Sequence, residues 1–475
     1  MNETRIDMAA SESTSIISPI DGSVLLRRAH LGAAETAAAL ARAHAAQATW
    51  RGVPVAERAA LLTRGIDAFV AKKPQIAEEL TRQMGRPIRY TPGEVVGFET
   101  RARHMIGIAA GALRDIVPAP IAGFTRFIRR EPLGVVLVVA PWNYPLLTAV
   151  NAVVPALMAG NAVILKPSAQ TPLAGERIVE ALNGAGLLDG PLEGLLQCVH
   201  TDHAGTQALI RSPQIDGVCF TGSVAGGAAV EQAAAGRFIH VGLELGGNDP
   251  AYVRADAKLD AAVETLVDGA FFNSGQSCCG IQRIYVARSL YAGFVDKAAA
   301  LTRQYVLGDP LDPNVTLGPV VRASAADTVR EIIADAVGKG ARALIDTREF
   351  PLDHPGSAYL APQILVDVHH GMQVMNDECF GPVVGIMPVD SDDEAVALMN
   401  DSLYGLTACV FTQDEAAALS IGDRLQTGTV FMNRCDYLDP ALAWTGVKAT
   451  GRGVTLSSVG YEHLTRPKSF HLKSL

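Results

Sequence analysis

From Gly134 onward the chain repeats one hydrophobicity pattern: a short apolar run, rich in β-branched residues, followed by a segment of helix length. The runs are "GVVLVVA", "AVILK", "GLLQCV", "DGVCF" and "FIHVGLE". Continuous apolar runs of this length read as strands buried on both faces, and their alternation with helices predicts a mostly parallel, doubly wound sheet. A second series, "RIYVA", "ARALI", "VVGIMPV", "TACVF" and "GTVFMN", predicts a second α/β domain. The first hundred or so residues read as helices, over residues 32–49, 54–70 and 94–110. Another amphipathic helix is expected over 258–273. Residues 123–131 and the final "TRPKSFHLK" alternate polar and apolar like exposed strands. Such edges are usually covered, and a neighbouring subunit is one way to cover them.

Composition narrows the class. A chain of 475 residues has room for two or three domains with substantial cores. With 49% hydrophobic and 19% charged residues it reads as an ordered globular protein. A formal charge of -9 supplies no basic field for nucleic acid. No apolar run is long enough to cross a bilayer, and the polar start "MNETRIDMAASESTS" lacks the apolar core of a secretory signal. Seven cysteines without framework spacing suggest reduced thiols and a cytoplasmic location. His369 and His370 have no ligand-like partners nearby in sequence, so no metal site is expected.

Two segments are glycine-rich. "NGAGLLDG" from Asn183 follows a helix, not a strand, and reads as a helix C-cap and turn. "FTGSVAGG" follows the strand "DGVCF", and Gly222 and Ser223 open the next helix, where amides and the helix dipole meet a pyrophosphate. The stretch "FFNSGQSCCGIQR" puts Cys278 just after a Gly-Gln turn. A Cys-Cys pair is either two small buried hydrophobes or the site of a nucleophile whose thiolate is favoured by turn amides.

Taken in series, "PWNYP", "ILKPSAQTP", "FTGS", "LELGGN", "FFNSGQSCCGIQR" and "ECFGPV" resemble the aldehyde dehydrogenase superfamily along nearly the whole chain. The resemblance implies an α/β fold of two doubly wound domains, a Rossmann-like cofactor domain and a catalytic domain, plus a small β oligomerisation element. It divides the chain into a cofactor-binding part (1–120 and 137–245), a catalytic part (246–455) and oligomerisation strands (121–136 and 456–475). It implies oxidation of a small-molecule aldehyde to the acid by an NAD(P)-dependent enzyme that assembles as a homodimer or homotetramer. Cys278 is then the nucleophile, Asn143 the oxyanion donor and Glu244 the base for water. Trp142, Lys166, Ala169, Gly222, Ser223, Glu378 and Phe380 fall at cofactor-lining positions. Tyr144, Leu147, Asn151, Ser277, Cys279, Arg434 and Trp444 frame the substrate.

Three positions depart from the family pattern. Ala169 stands where NAD-preferring members carry a Glu that accepts hydrogen bonds from the ribose. No local cation besides Lys166 is visible to attract a 2′-phosphate, so the expectation is NAD, with NADP less excluded than usual. Asn248 replaces a common Lys, and Thr450 a common Ser. Arg434 either clamps an anionic substrate or pairs with Asp436 or Asp439. Two alternatives stay open: a CoA-acylating relative, which Glu244 argues against, and an inactive binding or structural protein of the same fold.

Overall fold

The structure, a computed structural model, describes residues 13–187 and 190–474. Two open sheets organise it. The first has the spatial order Gly451–Arg452, His240–Glu244, Gly217–Thr221, Val135–Val139, Ala162–Lys166, Leu196–Cys198. Its strands are parallel except the first, which runs antiparallel to His240–Glu244. The second has the order Arg342–Ala343, Gln363–Val366, Val383–Val389, Ile281–Ala287, Asp249–Val253, Thr407–Phe411, Thr429–Met432. Only its Arg342–Ala343 edge is antiparallel. Val135–Val139, Asp249–Val253 and Ile281–Ala287 are buried at every position, as central strands with both faces covered must be.

The helices expected near the N-terminus form as Ala33–Trp50, Val55–Ala71, Lys73–Met84 and Thr91–Ala112. Ahead of them lies a hairpin, Ser13–Ile17 with Val24–Ala29, that the helical reading did not foresee. Its hydrophobic alternation is too short to announce itself, and Gly22 at φ 74° makes the turn. Asp249–Val253 was also missed, because Pro250 argues against a central strand. The register shift between Ile281 and Arg283 on the facing strand accommodates the proline. "ARALI" yields only the two exposed edge residues Arg342 and Ala343. In "NGAGLLDG" the chain leaves the helix Pro172–Leu182 through a wide turn with Gly186 at φ 105°. Residues 188 and 189 of that segment, and 1–12 of the polar start, lie outside the described residues.

Phe124–Pro132 and Thr465–Lys473 pair with each other in an antiparallel two-stranded ribbon. Phe127 and Phe470 stack across it at 4.5 Å, with the Arg129 guanidinium 5.0 Å from each ring. Just before the ribbon's second strand, Gly451–Arg452 returns from the second sheet's part of the chain to pair with Leu243 and Glu244. That return places Thr455 beside Glu244. Among the described residues no helix is long and apolar enough to cross a membrane.

Candidate active site

The helix Leu259–Phe271 ends in a tight turn whose two non-glycine residues, Asn273 and Ser274, adopt φ 53° and 55°. Such left-handed geometry is uncommon for residues with a Cβ, and side-chain bonds hold it here. Asn273 Nδ2 donates to the carbonyls of Asn143 and Gln276, both at 3.2 Å, and Ser274 Oγ donates to that of Gly318 at 2.8 Å. Gln276 Oε1 accepts from the Val321 amide at 2.8 Å. The braced turn delivers Cys278, half-buried, to a cleft of about 530 Å³. Asn143 lies beneath this turn, not in the cleft lining. Its Nδ2 donates to the Gln276 carbonyl at 3.1 Å, leaving one amide hydrogen over.

Two glycines set how close the walls come. A Cβ on Gly247 would stand 2.1 Å from the Cys278 carbonyl oxygen, and one on Gly246 2.3 Å from Glu378 Oε2. Both segments approach as they do because these positions carry no side chain.

Glu244 ends its strand facing the same cleft as Cys278. Thr455 Oγ1 donates to its Oε1 at 2.5 Å and Thr221 Oγ1 to its Oε2 at 3.3 Å. Burial raises its carboxyl above the usual range despite both bonds. Cys279 is buried, and its thiol donates to Asp436 Oδ1 at 2.9 Å. The hydrogen bond with Cys278, burial and the Asp436 charge together hold Cys279 firmly as a thiol.

Of the expected substrate-framing residues, Tyr144, Leu147, Asn151, Ser277, Cys279 and Trp444 line the cleft. Arg434 does not. It is exposed, and its guanidinium lies 3.3 Å from the centroid of the Tyr437 ring. The expected choice between a substrate clamp and a pairing with Asp436 or Asp439 is therefore corrected, since the aromatic face outcompetes both. Three other arginines reach the cleft instead: Arg86, Arg89 and Arg101. Arg86 is bound to buried Glu94 at 3.1 Å and lies over the rings of Phe272 and Tyr144. Arg89 sits over Tyr90. Arg101 is 8% exposed and has no carboxylate partner among the described residues. Its Nη1 donates to the Leu147 carbonyl at 2.9 Å and to Asn151 Oδ1 at 3.3 Å. Sequence reasoning passed over all three because they lie on or just before the N-terminal helix Thr91–Ala112, far from any motif.

Outside the cleft lining, Trp142 and Phe380 meet edge to face at 5.5 Å. The Gly247 amide donates to Glu378 Oε1 at 3.0 Å, and burial raises that carboxyl to about 7. Asn248 Nδ2 donates to the Asp377 carbonyl at 3.3 Å, tying the two segments together. Ser223 caps the helix Val224–Ala234 by accepting from the Gly226 amide at 3.1 Å, with Gly222 just ahead. Lys166 ends its strand, and burial lowers its pKa. Ala169 is exposed and shares a small hollow with Arg28, His30 and His200. No cation but Lys166 is legible locally, yet the hairpin and the segment after Leu196–Cys198 bring Arg28, His30 and His200 beside Ala169 from distant sequence. Glu176 pairs with Arg28 at 2.6 Å and with His200 at 3.0 Å. Burial would raise its carboxyl, yet hydrogen bonds from Arg28 and His200 hold it at about 2.

A sequence profile of the aldehyde dehydrogenase family matches residues 6–470. The chain belongs to the aldehyde dehydrogenase family. It is 33% identical to the succinate-semialdehyde dehydrogenase [NADP(+)] of Deinococcus radiodurans, over 95% of this chain and 93% of that one. It is also 33% identical to betaine aldehyde dehydrogenase 1 of Rhizobium meliloti, over 98% and 95%. The NADP-dependent glyceraldehyde-3-phosphate dehydrogenase of Bacillus halodurans C-125, solved with NADP, superposes with a TM-score of 0.91 at 34% identity, covering 98% and 96%. In this aldehyde dehydrogenase, then, the thiol of Cys278 and the carboxyl of Glu244 share one cleft, Glu378 is bonded to the Gly247 amide, and Trp142 packs on Phe380.

Proposed function

We propose that this NAD(P)-dependent aldehyde dehydrogenase oxidises a short aldehyde carrying an anionic tail, with Cys278 as nucleophile and Glu244 as base. The observation that carries the mechanism is the shared cleft: a thiol delivered by a braced turn, facing a buried carboxyl held by two threonines. The Cys278 thiolate attacks the aldehyde carbon. The remaining Asn143 amide hydrogen and the Cys278 backbone amide receive the developing oxyanion. Bound NAD(P) supplies the hydride acceptor, and the residues fit it. Gly246 leaves a cradle open beside Glu378, and Gly222 and Ser223 start a helix as a phosphate requires. The thioester left on Cys278 is hydrolysed when Glu244 takes a proton from water. The C–S bond then breaks and the thiolate returns.

The tail follows from the charges in the cleft. One face each of Tyr144, Phe272, Tyr90 and Tyr437 is taken by one of the chain's own arginines, whose charge disfavours a quaternary ammonium beside them. Of the arginines that reach the cleft, Arg101 is the buried one left without a carboxylate among the described residues. Its nitrogens other than Nη1 are neither bonded within the chain nor sealed from the cleft. A carboxylate a few carbons from the aldehyde satisfies it, as the name of the Deinococcus relative suggests. Arg28 in the hollow beside Ala169, with no carboxylate at 169 itself, supports use of NADP as well as NAD. The ribbon edges support a homodimer or homotetramer, and the free cysteines a cytoplasmic location.

The test compares specificity constants for succinic semialdehyde, butanal and betaine aldehyde, with either cofactor. Cys278→Ala should abolish turnover of all three. Glu244→Gln should leave a burst of reduced cofactor followed by a much slower steady rate. Arg101→Leu should cost the anionic aldehyde about tenfold or more and spare butanal, a charged hydrogen bond being worth about 1.5–3 kcal/mol. A wild type preferring betaine aldehyde would refute the tail.

A further inference from the structure

A second, smaller cavity opens behind Glu244, on the side away from Cys278. Its volume is about 30 Å³, room for about two waters. The strand His240–Glu244 explains its shape. Alternate residues of a strand share a face, so His240, Gly242 and Glu244 all point into the cavity while Val241 and Leu243 are buried in the core. The two ends lie about 13 Å apart along the strand, and the middle position has no side chain to fill the gap. Most of the lining is apolar, and the partners it offers a water are Glu244, His240 and the hydroxyl oxygens of Thr148, Thr221 and Thr455. At the far end His240 Nε2 lies 3.2 Å from His463 Nδ1, and both rings are half-buried. Beyond them stands exposed Arg452, paired with Glu231. Glu462, adjacent to His463 in sequence, is bound to Arg130.

We infer that this cavity and the His240–His463 pair form a proton exit, carrying to solvent the proton that Glu244 takes from the hydrolytic water. The inference rests on the reading of Glu244 as the base. The balance is simple. One O–H bond of water breaks as hydroxide adds to the thioester and the proton joins Glu244. The acid passes it to cavity water, His240 takes a proton up at one ring nitrogen, and the proton shared with His463 moves across. The carboxylate is restored, and one proton reaches solvent for each acid formed. Burial, then the neighbouring His463 and Arg452, lower the His240 pKa to about 4, so the ring passes a proton on without retaining it. His240 and His463 touch no reacting atom; they act through Glu244.

Two variants test the exit without altering Glu244. Gly242→Val fills the passage: a Cβ there meets nothing nearer than 3.8 Å, so the side chain starts in open space, and thermal unfolding checks that the fold is kept. His240→Leu removes the relay while keeping an apolar body in its place. Rapid mixing should show an unchanged burst of reduced cofactor in both, followed by a steady rate about tenfold or more below the parent. In His240→Ala, which vacates space for a ring, added imidazole should restore the steady rate. A steady rate within twofold of the parent in both blocked variants overturns the exit, as does an equal loss of burst and steady rate. Glu244→Gln run alongside separates the two claims. If it alone slows the steady phase, the base stands and the exit falls. If it slows nothing, the base itself is wrong.

Discussion

Gly247→Ala is the most exacting test of how the site is built. The added Cβ would stand 2.1 Å from the Cys278 carbonyl oxygen, more than an ångström inside the 3.4 Å of ordinary contact. Both sides are backbone, so no side chain can swing away. Either the Gly246–Gly247 segment or the Cys278 turn must retreat by about 1 Å. The turn is pinned through Asn273, Ser274 and Gln276, and the glycine segment through its amide bond to Glu378, so the strain falls on the Cys278–Glu378 spacing. A displacement of about 1 Å in a reacting group costs about 10²-fold in rate, and overpacking of this kind about 1–3 kcal/mol in stability. The assay is stopped-flow formation of reduced cofactor at saturating aldehyde, with thermal unfolding in parallel. The burst rate should fall about a hundredfold while the protein stays folded. A burst within threefold of the parent would show that the two backbones do not govern the chemistry.

Burial raises Glu378 to about 7, so its carboxylate fraction grows as pH climbs through neutrality. If the ionised form accepts ribose hydroxyls, the cofactor KM should fall across that range, and in Glu378→Gln it should be high and flat. Ala169→Glu sets a carboxylate in the hollow with Arg28, His30 and His200, and should shift the ratio of NAD to NADP specificity constants roughly tenfold toward NAD, about 1.4 kcal/mol; an unchanged ratio would place selectivity elsewhere. Deleting residues 465–475 removes the strand that covers Phe124–Pro132, and light scattering should then find monomers where the intact chain gives dimers or larger species.

What the sequence revealed depended on range. Runs such as "GVVLVVA" and "AVILK" declare central strands because burial on both faces leaves no polar position, and each is satisfied locally. The Gly-Gln turn before Cys278 is equally local. Asp249–Val253 stayed hidden because Pro250 breaks a local rule that a shift on the neighbouring strand repairs. Arg101 and Arg28 carry no local mark at all. Their meaning lies in partners 46 and 148 residues away, Leu147 and Glu176, and only the folded chain supplies those. Arg434 misled for the converse reason: nearby acids in sequence suggested an ion pair, while the ring of Tyr437, three residues on, offered the better surface.

The return of Gly451–Arg452 to the first sheet gives the enzyme a timetable. Glu244 obtains the shorter of its two hydroxyl partners from Thr455, 211 residues later in the chain. At about 5–20 residues per second of synthesis, the base waits roughly 10–40 s after it leaves the ribosome before that partner exists. During that interval Cys278 has emerged, and the sheet around His240–Glu244 can form, but its edge lies open and the carboxyl is held by Thr221 alone. A nascent or prematurely terminated chain therefore presents the Cys278 thiol beside a carboxyl that has only one of its two hydroxyl partners. Aldehyde captured at that stage would remain a reversible thiohemiacetal, with no hydride acceptor to carry it further, until the later segments completed the cleft and closed the edge.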